Sequence, residues 1–127
     1  MANRKAMVVD DEFHIVQVVA IKLRNNGFDV ITADNGADAY TLACEQKPDI
    51  VVTDYQMPKL SGLELIEKMR SNADTARIPV IMLTARGFAI DDEQKLKLGI
   101  SACLSKPFSP REVLGTVEEV LKQTAQV

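Results

Sequence analysis

Four short apolar runs in this chain each end at a side chain that can bind phosphate or a hard cation. MVV precedes Asp10 and Asp11, IVVT precedes Asp54, VIML precedes Thr84, and ACLS precedes Lys106. Parallel strands of one open sheet place their carboxyl ends along a single edge, and the binding crevice of such a sheet lies just outside that edge. If the four runs are parallel strands, these side chains meet in one place.

The whole chain alternates between short β-branched runs and amphipathic segments, about five times over, which predicts βαβ units and a sheet buried on both faces. Helical spacing of apolar residues predicts a first helix over Phe13–Asn25 and a fourth over Phe88–Leu98. FDVITA is typical of a half-buried second strand, and the sequence Ser109–Glu112 has the hydroxyl, proline and carboxylate of a helix start. The third helix is predicted to have one apolar face, formed by Leu63, Ile66, Met69 and Arg70.

The chain of 127 residues has the usual length of one domain. We therefore expect a single α/β domain over residues 1–127, with a doubly wound, five-stranded parallel sheet. Crossovers between parallel strands are right-handed almost without exception, and such a sheet most often has the strand order 2-1-3-4-5. This order makes the first and third strands neighbours and brings Asp10 and Asp11 next to Asp54.

Three carboxylates repel one another unless a cation lies between them. Oxygen ligands with room for water suit Mg²⁺, which prefers octahedral coordination at about 2.0 to 2.1 Å, better than Ca²⁺. A phosphoryl group that approaches a carboxylate must have its charge neutralised. Mg²⁺ and Lys106 can neutralise it, Thr84 can donate a hydrogen bond, and aspartate is a known covalent acceptor of phosphate. The residues therefore indicate a phosphoryl site.

The composition argues against several other classes of protein. Hydrophobic residues make up 46% and charged residues 26%, as in an ordinary soluble domain, and no segment approaches membrane-spanning length. The 15 basic and 18 acidic residues give a net charge of -3 without a cationic stripe, so we expect neither direct nucleic-acid binding nor membrane binding. The apolar run after MANRK is too short for a secretory signal, which favours a cytoplasmic location.

The remaining metal-binding and redox residues do not indicate a second site. Cys44 and Cys103 are far apart and do not form a CxxC pair, so we expect small, buried, reduced side chains and no structural zinc. The single imidazole, His14, is predicted to be a surface or packing residue.

The segments VVDDE, DYQMPKLSGLEL, IMLTA and LGISACLSKPF, in this order and spacing, resemble the receiver domain of bacterial two-component response regulators over essentially the whole chain. The CheY-like members of that family have the flavodoxin-like strand order given above, so the resemblance implies the same order. It also implies that Asp54 is the phosphoacceptor and that Asp10 and Asp11 hold Mg²⁺, Asp11 directly. The backbone carbonyl of Gln56 would be a third protein ligand.

The resemblance further implies that Thr84 and Lys106 contact the phosphoryl oxygens, and that the bond before Pro107 is cis, which only an X-Pro bond adopts at low cost. Cys103 departs from the family, which usually has Tyr or Phe there. Because a cysteine cannot fill the same volume, we expect switching to depend on the Thr84 loop and the fourth helix. The resemblance also implies that Gln56 and Arg86 lie at positions that vary among receiver domains and are associated with the lifetime of the phosphoryl group.

The function implied by the resemblance is signalling. The module would take a phosphoryl group from the phosphohistidine of a histidine kinase or phosphotransfer protein onto Asp54, with Mg²⁺ as cofactor, and change conformation. The surface of the fourth helix, fifth strand and fifth helix would then act on a downstream protein or a fused output domain. Such a module catalyses only its own phosphorylation and dephosphorylation and is not an enzyme in the ordinary sense.

Three alternatives use parts of the same pattern. A Mg²⁺-dependent phosphohydrolase would carry a second Asp two residues after its nucleophile, where this chain has Gln56, and would need a cap domain. A flavodoxin-like electron carrier would bind a flavin phosphate after the first strand, where Asp10, Asp11 and Glu12 would repel it. A receiver-shaped scaffold that is never phosphorylated would not need the acidic cluster with Thr84 and Lys106.

Overall fold

The computed structural model describes residues 4–55, 60–84, 92–106 and 108–125, and its strands form one parallel sheet. The strands are β1 (Lys5–Val9), β2 (Asp29–Ala33), β3 (Ile50–Asp54), β4 (Val80–Thr84) and β5 (Ile100–Ser105). Their order in the sheet is β2-β1-β3-β4-β5. This order confirms the predicted α/β fold and its doubly wound topology.

Helices cover both faces of the sheet. They are α1 (Phe13–Arg24), α2 (Gly36–Gln46), α3 (Gly62–Arg70), α4 (Asp92–Leu98) and α5 (Pro110–Ala125). One core lies between the sheet and α1 with α5, and the other lies between the sheet and α2, α3 and α4. Successive strand residues point to opposite faces, so Val8 belongs to the first core and Val9 to the second. Both faces of the central strands are therefore apolar.

The predicted helix ends lie close to the observed ones. Helix α1 ends at Arg24, one residue before the predicted end, and Gly27 follows with a φ of 90°, which glycine adopts without strain. Helix α4 is observed from Asp92, and residues 88–91 of the predicted helix lie outside the described residues.

The last helix begins with the predicted capping box. The Ser109 N–H donates to Glu112 Oε1 at 3.1 Å, and the Glu112 N–H donates to Ser109 Oγ at 3.2 Å. These reciprocal bonds satisfy two backbone donors that a helix start would otherwise leave without partners.

The prediction that Arg70 belongs to the apolar face of the third helix is wrong. It is half-buried, and its guanidinium donates to backbone carbonyl oxygens outside that helix. Burial lowers the pKa of the group. The acceptors are Leu98 at 2.7 Å, Ile78 at 2.8 Å, Ala76 at 3.1 Å, Gly99 at 3.2 Å and Thr75 at 3.5 Å. Arg70 thus ties the end of α3 to the loop before β4 and to the turn before β5.

The two cysteines and the single histidine lie closer to the surface than the core does. Both cysteines are free thiols, but they are half-buried where burial was expected, because Cys44 faces Asn72 at the margin of α2 and Cys103 lies on an edge strand. His14 is a surface residue with a 76% exposed side chain, 3.8 Å from Glu12. No helix in the described part of the chain combines the length and apolar character needed to cross a bilayer.

Candidate functional site

The three predicted carboxylates lie together at the carboxyl edge of the sheet. Strands β1 and β3 are neighbours, with Val9 opposite Thr53, so the residues that follow these strands emerge side by side. One carboxylate oxygen from each of Asp10, Asp11 and Asp54 lies within 4.8 Å of the others. Asp10 and Asp54 are buried, with exposures of 0% and 6%, whereas Asp11 is exposed.

Lys106 brings a positive charge to the same place from the end of β5. Its backbone N–H donates to the Thr84 carbonyl at 2.8 Å, which fixes the point where the side chain leaves the sheet. The ammonium nitrogen lies 3.3 Å from Asp10 Oδ2 and 3.3 Å from Asp54 Oδ1. The sequence predicted that Lys106 would reach this edge, and the structure places it between two of the carboxylates.

Glu12 is a partner of Lys106 that the sequence analysis did not identify. The Lys106 ammonium donates to Glu12 Oε1 at 3.1 Å. Burial alone would lower the pKa of Lys106, but the hydrogen bond to Glu12 and the charges of Asp10 and Asp54 together raise it above its usual value. Glu12 follows directly after two aspartates at a strand end, and this position is the sequence feature that could have indicated its contact with Lys106.

Thr84 also lies at this edge, and its hydroxyl is weakly bound. The side chain is 2% exposed, and its hydroxyl donates to the Leu104 carbonyl at 3.5 Å, at the far limit of hydrogen-bond distance. A hydroxyl held by so long a bond can turn to a better acceptor. The loop after Thr84, residues 85–91, lies outside the described residues, as does Arg86.

The cluster carries more negative charge than Lys106 offsets. Burial raises the pKa of Asp54 to about 6, and the charge of Asp10 acts in the same direction, while Lys106 and the backbone N–H of Tyr55 act against both. Burial likewise raises the pKa of Asp10, against the hydrogen bond from the Glu12 N–H and the charge of Lys106. Ionising both buried aspartates is therefore unfavourable without another cation.

The donor atoms fit Mg²⁺. Asp10 Oδ2 is buried and accepts no hydrogen bond, although the Lys106 ammonium lies close enough to attract it. A buried carboxylate oxygen without a hydrogen bond is rare, and coordination to a hard cation would satisfy it. Asp10, Asp11 and Asp54 offer only oxygen atoms, which Mg²⁺ prefers. Gln56, whose carbonyl was predicted as a further ligand, lies outside the described residues.

A glycine lets α3 begin directly behind Asp54. The Gly62 N–H donates to the Tyr55 carbonyl at 2.8 Å, and a side chain at position 62 would overlap the carbonyl oxygen of Asp54. Ser61 and Glu64 form a capping box that fixes the start of the helix. The two ends of the loop that carries Gln56 are therefore held close to the phosphoacceptor candidate.

Sequence comparison identifies the family. A sequence model described as the response regulator receiver domain matches residues 6–118. The chain belongs to this family. Among curated relatives, this receiver domain is 40% identical over 122 residues to the alkaline phosphatase synthesis transcriptional regulatory protein PhoP of Bacillus subtilis. It is 35% identical over 124 residues to the phosphate regulon transcriptional regulatory protein PhoB of Pseudomonas aeruginosa.

These alignments cover 96% and 98% of the receiver domain but only 50% and 54% of PhoP and PhoB. The chain thus spans about half the length of the curated relatives it matches.

Solved structures show the same fold. The chemotaxis response regulator CheY4 of Vibrio cholerae superimposes with a TM-score of 0.85 at 30% identity, covering 93% of this receiver domain and 98% of that chain. The receiver domain of a Pseudomonas aeruginosa sensor histidine kinase, solved with a magnesium ion coordinated in its active site cleft, superimposes with a TM-score of 0.84 at 27% identity. The second match covers 95% of this receiver domain and 99% of that chain.

We expect the metal-free receiver domain to lose stability as the pH rises from about 4 to 6. The pKa of Asp54 is raised from 3.8 to about 6, so between these values the folded state binds more protons than the unfolded state, and the free energy of unfolding falls as pH rises. The shift corresponds to about 2 to 3 kcal/mol. Lys106 stays protonated in both states over this range and does not alter the slope.

Urea unfolding from pH 4 to 7, with a chelator present, measures this loss. Asp54→Asn removes the contribution of Asp54 and leaves that of Asp10, whose pKa burial also raises, so this variant should lose less stability than the wild type over this range. Asp29→Asn, at an exposed aspartate on β2, should retain the wild-type profile. Parallel profiles for the wild type and Asp54→Asn would contradict the raised pKa.

Proposed function

We propose that Asp54 accepts a phosphoryl group from a phosphohistidine in a Mg²⁺-dependent reaction, and that the receiver domain, spanning residues 1–127, then changes conformation to signal. The donor is a histidine kinase or a phosphotransfer protein, and the recipient of the signal is a downstream protein or an output domain. The observation that carries this proposal is the meeting of Asp10, Asp11, Asp54 and Lys106 at one edge of the sheet.

The reaction needs a carboxylate that is ionised and close to a cation. Above its pKa of about 6, Asp54 presents an oxygen that forms a bond to phosphorus while the bond from phosphorus to the histidine nitrogen breaks, and that nitrogen keeps the electron pair. Lys106 lies 3.3 Å from Asp54 Oδ1 and is placed to hold a phosphoryl oxygen. Preorganised positive charge of this kind accounts for most of the catalysis of phosphoryl transfer.

Asp10, Asp11 and the carbonyl of Gln56, together with Asp54, would hold the Mg²⁺. When bound, the ion supplies positive charge to the phosphoryl oxygens. The magnesium ion in the active site cleft of the related Pseudomonas aeruginosa receiver domain supports this assignment, as does the buried Asp10 oxygen that accepts no hydrogen bond.

The conformational change would begin at Thr84. Its long hydrogen bond to Leu104 can be exchanged for one to a phosphoryl oxygen, which draws the end of β4 toward Asp54. Cys103 packs against the core on the side of α4, but it is too short to follow this movement as an aromatic ring would. The signalling surface of α4, β5 and α5 would therefore respond through the Thr84 loop and α4.

The family is one of regulators, and we propose that this domain has no separate substrate. Its only reactions would be the gain and loss of its own phosphoryl group. The curated relatives are transcriptional regulators about twice as long as this chain. Because its net charge is -3, this domain would not itself bind DNA. It would act in the cytoplasm through another protein or domain.

Acetyl phosphate with Mg²⁺ tests the proposal, with intact mass spectrometry as the readout. We expect the wild type to gain the mass of one phosphoryl group, a chelator to abolish the gain, and Asp54→Asn to abolish it as well. Asp29→Asn should be phosphorylated like the wild type, because Asp29 is exposed and lies on β2. An adduct that survives Asp54→Asn, or none on the wild type, would reject the assignment.

A further inference from the structure

Glu12 occupies the N-cap position of α1 without capping that helix. Preferred N-cap side chains are short, and their oxygen accepts a hydrogen bond from a backbone N–H of the first turn. The Glu12 backbone is extended, as in other N-caps, but its side chain accepts no capping hydrogen bond. A residue that departs from such a local preference is expected to have a role elsewhere in the structure.

The Glu12 carboxylate contacts the candidate phosphoryl site instead. Glu12 Oε1 accepts a hydrogen bond from Lys106 Nζ at 3.1 Å. Lys106 Nζ also lies 3.3 Å from one oxygen of each buried aspartate, Asp10 and Asp54. The exposed fraction of the side chain is 47% for Glu12, 9% for Asp54 and 0% for Asp10. Of the three carboxylates that surround the ammonium, Glu12 is therefore the one that faces solvent.

A phosphoryl group on Asp54 needs Lys106 as a donor, but the donors of Lys106 already face carboxylates. An ammonium has three N–H groups, and three carboxylates surround this one. A phosphoryl oxygen can therefore bind Lys106 only where a carboxylate withdraws. Asp10 is buried, and Asp54 itself accepts the phosphoryl group. Glu12 can turn into water at small cost, because an exposed ion pair contributes little free energy.

We propose that Glu12 restrains Lys106 in the unphosphorylated domain, and that Lys106 exchanges Glu12 for a phosphoryl oxygen when Asp54 is phosphorylated. This inference rests on the proposed function, in which Lys106 binds the phosphoryl group. Glu12 is then a positioning residue, because it acts through Lys106. Separating the pair costs free energy before the phosphoryl group is bound, so Glu12 slows phosphorylation.

The variant Glu12→Gln tests the inference with acetyl phosphate and Mg²⁺. Glutamine keeps the size of the side chain and removes the charge that binds Lys106. Intact mass spectrometry over time gives the second-order rate constant for the gain of one phosphoryl group. This constant should rise about threefold to fivefold, as expected for the loss of one partly exposed ion pair. An ionic strength of about 0.15 M screens charges that lie more than about 8 Å apart.

Two comparisons separate the release of Lys106 from a general loss of negative charge. In the Lys106→Met background, the change Glu12→Gln should alter the rate by no more than about twofold, because the restrained group is absent. Asp34→Asn removes a charge from a residue that lines a groove with Asp10 and Asp11 but is not among the described ion-pair partners of Lys106. Its rate should also stay within about twofold of the wild type.

Nuclear magnetic resonance of the metal-free domain, labelled with ¹⁵N at lysine, measures the restraint without phosphorylation. The Lys106 ammonium hydrogens should exchange with water faster in Glu12→Gln than in the wild type. Equal exchange, unchanged or slower phosphorylation of Glu12→Gln, equal acceleration by Asp34→Asn, or acceleration that persists without Lys106 would each overturn the inference. Absence of phosphorylation in the wild type would instead reject the proposed function itself, and the exchange measurement distinguishes this result from absence of the ion pair.

Discussion

Replacing Arg70 by methionine is expected to lower the free energy of unfolding by about 3 to 4 kcal/mol. Methionine keeps much of the apolar stem but removes the guanidinium N–H donors that bind the backbone carbonyls of Leu98, Ile78, Ala76, Gly99 and Thr75. A buried acceptor that loses its partner costs about 1 to 3 kcal/mol, and water can reach part of this site. Urea unfolding at fixed pH, analysed by linear extrapolation, measures the change.

Two control variants distinguish this network from a general effect of charge. Arg77→Met removes the same charge from an exposed side chain in the loop before β4 and should change stability by no more than about 0.5 kcal/mol. Arg70→Lys retains the charge but not the planar set of guanidinium N–H donors, so it should also destabilise the protein. If Arg70→Lys restored wild-type stability, the charge and not the hydrogen bonds would matter.

The fold could be predicted because its determinants are local. β-Branched runs, helical spacing and caps such as Ser109 with Glu112 act within a few residues, and right-handed crossovers leave few sheet orders. The acidic cluster followed from that order, since only pairing of the first and third strands brings Asp10 to Asp54. Lys106 and Thr84 could be placed at the same edge for the same reason.

The contacts of long side chains could not be predicted in this way. Arg70 follows Met69 in a helical pattern that continues the apolar face, yet two of its acceptors, Leu98 at the end of α4 and Gly99 in the turn before β5, are distant in sequence. The ion pair of Glu12 with Lys106 likewise depends on where two flexible side chains end. A strand pattern places backbone positions but does not specify which atoms such side chains reach.

Replacing Lys106 by methionine is expected to have opposite effects on metal binding and on phosphorylation. The ammonium lies 3.3 Å from Asp10 Oδ2 and 3.3 Å from Asp54 Oδ1, so it competes with Mg²⁺ for the same carboxylates. Its removal should strengthen Mg²⁺ binding by roughly tenfold, because one positive charge no longer repels the ion. Phosphorylation by acetyl phosphate should slow by about 100-fold to 1,000-fold, as when one preorganised donor is lost from a charged transition state.

Isothermal titration calorimetry with Mg²⁺ and the mass-spectrometric time course with acetyl phosphate measure the two effects on the same preparation. Lys122→Met removes the same charge from an exposed position of α5. It should change neither the Mg²⁺ affinity nor the rate of phosphorylation. If Lys106 only supported the fold, its loss would weaken Mg²⁺ binding and phosphorylation together. Tighter metal binding combined with slower phosphorylation therefore identifies Lys106 as a group that acts on the phosphoryl oxygens, because a disordered carboxylate cluster cannot produce that combination.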